Sequence, residues 1–504
     1  MGVHVPTLVA DADGHVVEPA VVWKDMPEDL RPVIHRDAGG FEHVTVGGKE
    51  ILAVPLGTLA TPGANFADPT RFTPLAEAQP GGSDPVARLA DMDTEGIDQA
   101  VLYPSIGLYF WALTDRQAAI GLARAYNDWL AGYCAADPAR LFGSAMLPMQ
   151  DPPAAAQELR RSVAELGCKS AFVRPNPCMG RSLSDPAYEP VWEAAEELQV
   201  PIGIHEGSSV IVPTLGSDRP FNPLILHAVS HSFESMLSCA QLMAFGTLDR
   251  HPGLHLVFLE SGGGWAPFWL ERLDEQSETF GGFCPDMPLR PSEYFARQCA
   301  ISFEVDEATL PALLPFVGQS RVVWGSDYPH HDATFPGAVA ALRRTLEPLR
   351  VDDQARVLGG NARRIYGLPP RWSGAAAVVS DYFGAVTMRD PRALRLLFAP
   401  DAVLDAQGSV YRGADAIVRF YQDGAFRFDD LLPHPGPFTD RGDGLVVEID
   451  LHVAGTDSMV VDTFVVVDGH IRSLHIEGLS GEMKSRLSSG SPDPARPGLT
   501  AGQS

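Results

Sequence analysis

The chain has 504 residues, too many for one ordinary hydrophobic core, so two domains or more are expected. Hydrophobic residues make up 45% and charged residues 20%, the balance of a soluble globular protein. A net charge of −26 excludes a general electrostatic surface for nucleic acid but leaves room for a local pocket that holds a cation or a small anion.

The six cysteines (Cys134, Cys168, Cys178, Cys239, Cys284 and Cys299) form no CxxC pair, which argues against a zinc ribbon or a dense disulfide framework. No basic segment followed by an apolar run opens the chain, and no stretch reaches the roughly 18 apolar residues needed to span a membrane. The expectation is a cytoplasmic chain with neither nucleic acid nor membrane as partner.

From residue 8 to about residue 368, short apolar runs alternate with longer amphipathic stretches. The runs Leu8–Asp13, Gln99–Pro104, Leu141–Leu147, Ser170–Arg174, Pro201–His205, His255–Glu260, Cys299–Glu304 and Arg321–Ser326 predict strands. Between them Asp115–Ala135, Asp151–Leu166, Ala187–Leu198 and His231–Phe245 carry helical periodicity. Eight mostly apolar strands alternating with helices predict an α/β fold, a (β/α)8 TIM barrel, with a doubly wound open sheet as the alternative. No GxGxxG opens a helix after the first strand, which lowers a dinucleotide reading.

Residues 31–80 interrupt the alternation. Phe41–Val46 and Glu50–Val54, joined by Gly47-Gly48, read as a hairpin within a lid-like insertion on the first strand-to-helix loop. The barrel is assigned to residues 1–368 and a linker to 369–374, on Pro369-Pro370-Arg371-Trp372-Ser373-Gly374. A second domain follows over 375–482. It begins with the helix Ala375–Met388 and the segment Pro391–Phe398, and ends in antiparallel strands at Leu445–Val453, Ser458–Val467 and His470–Glu477, with Asp468-Gly469 as a hairpin turn. The Ser-, Pro- and Gly-rich stretch 487–504 reads as a disordered tail.

Active groups of such a barrel stand at the C-terminal ends of its strands. Strand one ends in Asp13-Gly14-His15, strand five in His205-Glu206, strand six in Glu260 and strand eight in Asp327-Tyr328-Pro329-His330. Asp13 and His15, two apart on a strand, face one side and make half of a divalent-metal site. His205 and Asp327 supply the third and fourth ligands. Mixed nitrogen and oxygen ligation suits one divalent ion: Zn²⁺ first, with Mn²⁺ and Fe²⁺ open. Each residue has a plainer reading, as a satisfied polar group at a strand end or as a helix N-cap. Ligand-type residues at strands one, five and eight together are hard to assign to chance.

His231 and Glu234, three apart on a helix, predict an imidazole held by a carboxylate, or else a solvated helix face. Arg174 predicts a two-point grip on a substrate carboxylate, or else a structural ion pair. Glu260, Tyr328 and His330 are assigned, with His331, to the substrate pocket.

Several segments resemble the amidohydrolase-related superfamily, in particular its decarboxylase branch typified by γ-resorcylate and aminocarboxymuconate-semialdehyde decarboxylases. They are Asp11-Ala12-Asp13-Gly14-His15-Val16-Val17-Glu18-Pro19, Arg88–Asp98, Gly325–His330 and Gly359–Leu368. The resemblance implies that Asp13, His15, His205 and Asp327 bind metal, that Asp327 also transfers a proton, and that His231 and Glu234 form the branch's His-x-x-Glu pair. Glu260 stands where many hydrolases of the superfamily have His, and Arg174-Pro175-Asn176 where binuclear members have a bridging Lys or Glu; both departures point to one metal. Asp390–Leu394, Leu397–Val403 and Tyr411–Tyr421 resemble the SnoaL-like group of the NTF2-like fold, a small α+β cone. Asp381, His452, Asp462 and His475 are its inward candidates, and its expected role is non-catalytic or dimerising.

The expected function is non-oxidative decarboxylation of a small carboxylated cyclic or aromatic compound, with Asp327, His231 and Glu234 handling the proton. The alternative is hydrolysis of an ester, lactone or amide by an activated water with Asp327 as general base. A non-enzymatic binding protein on a retired barrel is disfavoured by the intact ligand set.

Overall fold

The structure, a computed structural model, describes residues 8–52, 55–64, 72–207, 211–219, 222–369, 374–428, 431–436, 438–442, 444–453, 455–481 and 483. The core of the expected linker, 370–373, and the expected tail, 487–504, lie outside the described residues. The chain divides into two compact units, one holding residues 8–350 and 356–369, the other residues 351–355 and the C-terminal part.

The first unit is built on eight parallel strands in sequential order: Ala10–Val16, Gln99–Pro104, Leu141–Met146, Ser170–Val173, Ile202–His205, Leu256–Leu259, Cys299–Phe303 and Val322–Trp324. These are barrel strands one to eight. All are buried along their whole length, as a sheet covered on both faces requires. Backbone bonds complete the ring beyond strand eight, where the Asp327 amide donates to Asp13 O (2.9 Å) and the His15 amide to Tyr328 O (2.7 Å). The closed barrel, not the open sheet, is thus formed, and its closure brings the ends of strands one and eight together.

Strand one carries a register irregularity against strand two between Asp11 and Gly14. Such a bulge re-aims side chains. Asp11 turns to strand eight, where it accepts from the Ser326 amide (3.0 Å) and hydroxyl (2.6 Å), while Asp13 faces the barrel mouth. Gly325 permits the close approach, since a Cβ there would lie 2.5 Å from the Asp13 Cβ.

The helices follow their local signals. Asp115 and Asp151 cap helices Arg116–Cys134 and Pro152–Ala164 by accepting from the Ala118 and Ala154 amides. The helix after strand five is longer than its apolar pattern predicts: it spans Pro223–Ala244, begins eight residues before His231 and is capped by Asn222, which accepts from the Ile225 amide. Asn-Pro is itself an N-cap and first-turn signal, so the start was written in the sequence. His231 therefore sits inside the helix rather than at its beginning.

In the insertion, Glu42–Val46 pairs with Val33–Arg36 and, across Gly47-Gly48 (φ 57° and 71°), with Lys49–Glu50. The left-handed φ values are those of a tight hairpin turn, which glycine adopts without strain. Residues 53–54, the end of the expected second strand, lie outside the described residues.

The second unit is a curved mixed sheet backed by helices Gly374–Thr387, Pro391–Leu397 and Ala414–Asp423. Its strand order is Ser409–Arg412, Phe398–Ala406, His470–Glu477, Thr456–Val467, Leu445–Val453 and Leu432–Pro435, with Thr439–Asp440 on the Leu445–Val453 strand. Phe398–Ala406 and His470–Glu477 run parallel; the other pairs are antiparallel. Its interior is packed with Phe398, Ile417, Val447, Phe464 and Leu474. Of the four inward candidates only Asp462 is buried. His452 pairs with Asp457 (2.5 Å) and His475 with Glu477 (2.9 Å), each half-exposed on the strands.

Candidate metal centre

Four side chains converge at the C-terminal mouth of the barrel. His15 Nε2 lies 3.1 Å from His205 Nε2, 3.6 Å from Asp13 Oδ1 and 3.4 Å from Asp327 Oδ1. His205 Nε2 lies 3.3 Å from the same Asp13 oxygen. All four residues are buried.

The hydrogen bonding of the two imidazoles decides what this cluster is. His15 Nδ1 is 2.9 Å from Pro104 O, and His205 Nδ1 is 2.6 Å from Glu206 O. A carbonyl only accepts, so each Nδ1 carries the proton, and in the neutral ring Nε2 is a lone pair. Two lone pairs then face each other at 3.1 Å. Asp13 Oδ1 and Asp327 Oδ1 are both buried and make no well-aligned hydrogen bond, although His330 Nδ1 lies 2.7 Å from the second. Two imidazole nitrogens and two carboxylate oxygens turned to one point can form the donor set of a divalent cation. Backbone carbonyls orient both rings from behind, as ligating histidines require.

Without a cation the charge states agree with that fit at His15 but not at His205, whose carboxylate neighbours favour a second proton. Burial, then the neighbouring His330 and His205, holds His15 well below the usual histidine range, so it stays neutral. Burial pushes the Asp13 carboxyl up to about 6. Asp327 is raised well above the carboxylate range by burial, and further by the charges of Glu260 and Asp332. Burial works against a proton on His205, but Asp13 and Glu260 beside it outweigh that and raise it. A cation among these groups would relieve both the desolvation and the mutual repulsion of the carboxylates.

Glu260, at the end of strand six, spans two histidines. Its Oε2 is 3.5 Å from His205 Nε2 and its Oε1 3.3 Å from His231 Nε2. Burial opposes its charge, yet the two imidazoles hold it down at about 2. His231 is driven the other way, to about 10, because Glu260 and Glu206 overcome the cost of its burial. Glu260 (φ 43°) and Asp327 (φ 52°) both hold left-handed backbone, which non-glycine residues adopt at a cost. Such positions cluster at functional sites.

Glu260 and His330, beside the cluster, line a cavity of about 600 Å³, including its mouth. Leu59, Leu108, Tyr109 and Leu226 line it together with His227, His231 and His331. Leu59 comes from the 31–80 insertion, which thus reaches the mouth as a lid would. No lysine or arginine stands among the described lining residues. His330 stacks on His15 at 4.0 Å, with Nδ1 2.7 Å from Asp327 Oδ1 and Nε2 2.9 Å from Ser105 Oγ. His330 and Glu260 both line the cavity.

Three expectations are corrected. Arg174 does not reach the cavity: it is fully buried, with Nη2 donating to Glu206 Oε1 (2.6 Å) and Gly207 O (2.6 Å), Nη1 to Leu108 O (3.2 Å) and Nε to Asn176 Oδ1 (3.1 Å). Its charge is spent on an internal ion pair, the alternative reading of that residue. Glu234 does not touch His231, since its Oε1 accepts from the Leu215 amide (2.6 Å) and ties down a loop; the carboxylates at His231 are Glu260 and Glu206. Tyr328 turns away from the mouth, its hydroxyl donating to Asp91 and its ring under the Arg88 guanidinium (4.4 Å). The left-handed backbone at Asp327 reverses the chain there and sends the next side chain behind the strand.

Glu206, His227 and Asp332 also stand at the site, though their sequence context assigns them no role there. His227 was legible as an i−4 neighbour of His231 on one helix. Asp332, by contrast, lies on a loop with no periodicity.

A closed parallel barrel with a nitrogen and oxygen donor cluster at its C-terminal mouth defines the class: a (β/α)8-barrel protein built around a candidate cation site. Within that class the chain belongs to the amidohydrolase family, whose model matches residues 10–368. A SnoaL-like domain model matches residues 379–474. The chain is 34% identical over 262 residues to a γ-resorcylate decarboxylase of Rhodococcus jostii, covering 48% of this chain and 76% of that one. It is 29% identical over 291 residues to a 2-amino-3-carboxymuconate-6-semialdehyde decarboxylase of Dictyostelium discoideum, covering 57% and 77%. The crystal structure of 5-carboxyvanillate decarboxylase from Sphingomonas paucimobilis superimposes with a TM-score of 0.54 at 26% identity, over 72% of this chain and 100% of that one.

Proposed function

We propose that the chain is a metal-dependent carboxy-lyase that removes CO₂ from a small carboxylated ring compound. The observation that carries the metal is the pair of facing imidazole nitrogens beside two buried carboxylate oxygens without a well-aligned hydrogen bond. The relatives named as decarboxylases favour C–C cleavage over hydrolysis.

Asp13, His15, His205 and Asp327 would hold one divalent ion, with zinc first and manganese or iron as alternatives. When bound, the ion supplies a Lewis acid that polarises substrate oxygens and fixes the ring. Asp327, ionised while it holds the ion, must take up a proton during turnover and gives it to the ring carbon. The bond from that carbon to the carboxylate breaks, its electron pair forms the new C–H bond, CO₂ leaves, and Asp327 is left ionised. His231, charged beside Glu260 and Glu206, offsets the substrate's negative charge in a cavity whose described lining holds no lysine or arginine. Leu59, Leu108, Tyr109 and Leu226 give the ring an apolar wall and exclude water.

The second unit, with the domain boundary placed in 369–374, is assigned to assembly of a homodimer. Its largely apolar interior, in which Asp462 is the one buried candidate, supports a non-catalytic role. Among the described residues no helix is long and apolar enough to cross a membrane, which fits a cytoplasmic placement.

Metal analysis and product analysis test the reading together. About one divalent ion per chain is expected, with CO₂ released and no solvent oxygen entering the product. The His15→Ala/His205→Ala variant should lose both metal and turnover. Full metal occupancy in that variant sinks the site, and incorporation of labelled water oxygen selects hydrolysis.

A further inference from the structure

Glu206 gives only one of its oxygens to Arg174. Arg174 Nη2 donates to Oε1 at 2.6 Å, while Oε2 is buried and makes no well-aligned hydrogen bond. That oxygen lies 3.8 Å from His231 Nε2, which is likewise buried without a well-aligned bond. Glu260 Oε1 approaches the same nitrogen at 3.3 Å. His231 is fixed from behind: its Nδ1 is 3.0 Å from His227 O, so a backbone carbonyl aims Nε2 at the two carboxylates. His227 stands four residues earlier on helix Pro223–Ala244. His227, His231 and Glu260 each offer one ligand atom, and those atoms all lie within 4.8 Å of one another. A tetrahedral zinc ion holds its ligand atoms about 3.4 Å apart, a spacing that the 3.3 and 3.8 Å separations around His231 Nε2 match. Two buried carboxylates that meet in this way call for a positive charge between them.

We propose that His231, Glu260, Glu206 and His227 form a second, exchangeable divalent-cation site suited to zinc. It goes beyond the reading above, which needs only the ion at Asp13, His15, His205 and Asp327, and the two sets share no residue. Strand four adds no bridging group, because Arg174 is spent on Glu206. The ligands come instead from the helix after strand five and from the ends of strands five and six. Without an ion, a proton on His231 supplies the positive charge. An ion must displace that proton, so it binds more weakly than the resident one. It also occupies the nitrogen that otherwise faces the substrate.

The test is calorimetric zinc titration of the metal-depleted full chain, with metal content measured after dialysis. Two binding steps are expected, the second about 10-fold or more weaker than the first. His231→Phe should remove the second step and keep the first, and His15→Ala/His205→Ala should do the reverse. His227 is half-exposed, so His227→Phe spares the fold; it should weaken the second step about 10-fold or more. A single step in the wild-type chain overturns the proposal, as does a second step that His231→Phe leaves unchanged. If His231→Phe does not fold, an unchanged second step in His227→Phe overturns it instead. The resident site is tested apart from this one. A first step that survives His15→Ala/His205→Ala, with the second lost in His231→Phe, refutes the resident site alone; a single step abolished by that pair refutes this inference alone.

Discussion

Two clusters of buried charge stand side by side at the C-terminal ends of the barrel strands, and they are satisfied to opposite degrees. At strands four and five, Arg174 and Glu206 are wholly buried, and the guanidinium makes four hydrogen bonds to protein acceptors. At strands one, five and eight, Asp13, His15, His205 and Asp327 are buried almost as deeply, yet Asp13 Oδ1 has no donor, Asp327 Oδ1 has only His330 Nδ1 at 2.7 Å, and two imidazole nitrogens face each other. A folded chain tolerates the first cluster because its desolvation is offset internally. The second is tolerable only if something outside the chain completes it. Residue type alone does not separate the two, since a buried Arg and a buried His-Asp set both look functional in a sequence. Glu206 is the partial exception in the first cluster, with Oε1 on Arg174 but Oε2 buried without a hydrogen bond, 3.8 Å from His231.

The largest effect that would sharpen this contrast is on Arg174. Arg174→Met leaves Glu206 buried without its cation and should cost roughly 3–5 kcal/mol of stability, read by chemical denaturation, while metal still binds. If stability holds and affinity for a ring acid falls instead, Arg174 contacts substrate and the two clusters are one site.

Asp327→Asn acts on the other cluster. It keeps an oxygen ligand but removes the titrating group, so turnover should fall about 10²-fold or more with metal in excess, while metal binding is weakened and not lost. Glu234→Gln should cost far less, because Glu234 holds the Leu215 amide and not His231. Near-normal turnover in Asp327→Asn with a dead Glu234→Gln would move proton transfer to the helix.

The smallest effect concerns an intermediate case. Glu18 is fully buried and accepts from the Ser105, Ile106 and Gly107 amides, with no cation beside it, and burial pushes its carboxyl up to about 7. The fold therefore favours the protonated acid. That contribution is complete below about 4.5 and is lost as pH rises toward 7. Raising the pH from 4.5 to 7 should cost on the order of 2 kcal/mol through this group, and Glu18→Gln should flatten that part of the stability profile. An identical profile in the variant would show that the three amides satisfy the carboxylate fully, placing Glu18 with Arg174 and Glu206.

How much of this was legible in the sequence follows from the range of the interactions. Strand positions, the Asp115 and Asp151 caps, the Gly47-Gly48 and Asp468-Gly469 turns and the residues at the strand ends are set by neighbours a few residues apart, so one sequence shows them. The barrel followed from eight apolar runs, because a strand buried on both faces needs helices on one side and a packed interior on the other. The convergence of Asp13, His15, His205 and Asp327 then followed from strand order. Partner choice did not. Whether Arg174 meets a substrate or Glu206, and whether His231 meets Glu234 or Glu260, depends on which polar atom lies within about 3 Å after closure, and hydrogen bonds are lost over less than an ångström of misplacement. At the seam, the bulge at Asp11–Gly14 lets Asp11 meet Ser326, more than 300 positions away. Only the closed barrel could decide which buried charges were already paired and which were left without a well-placed partner.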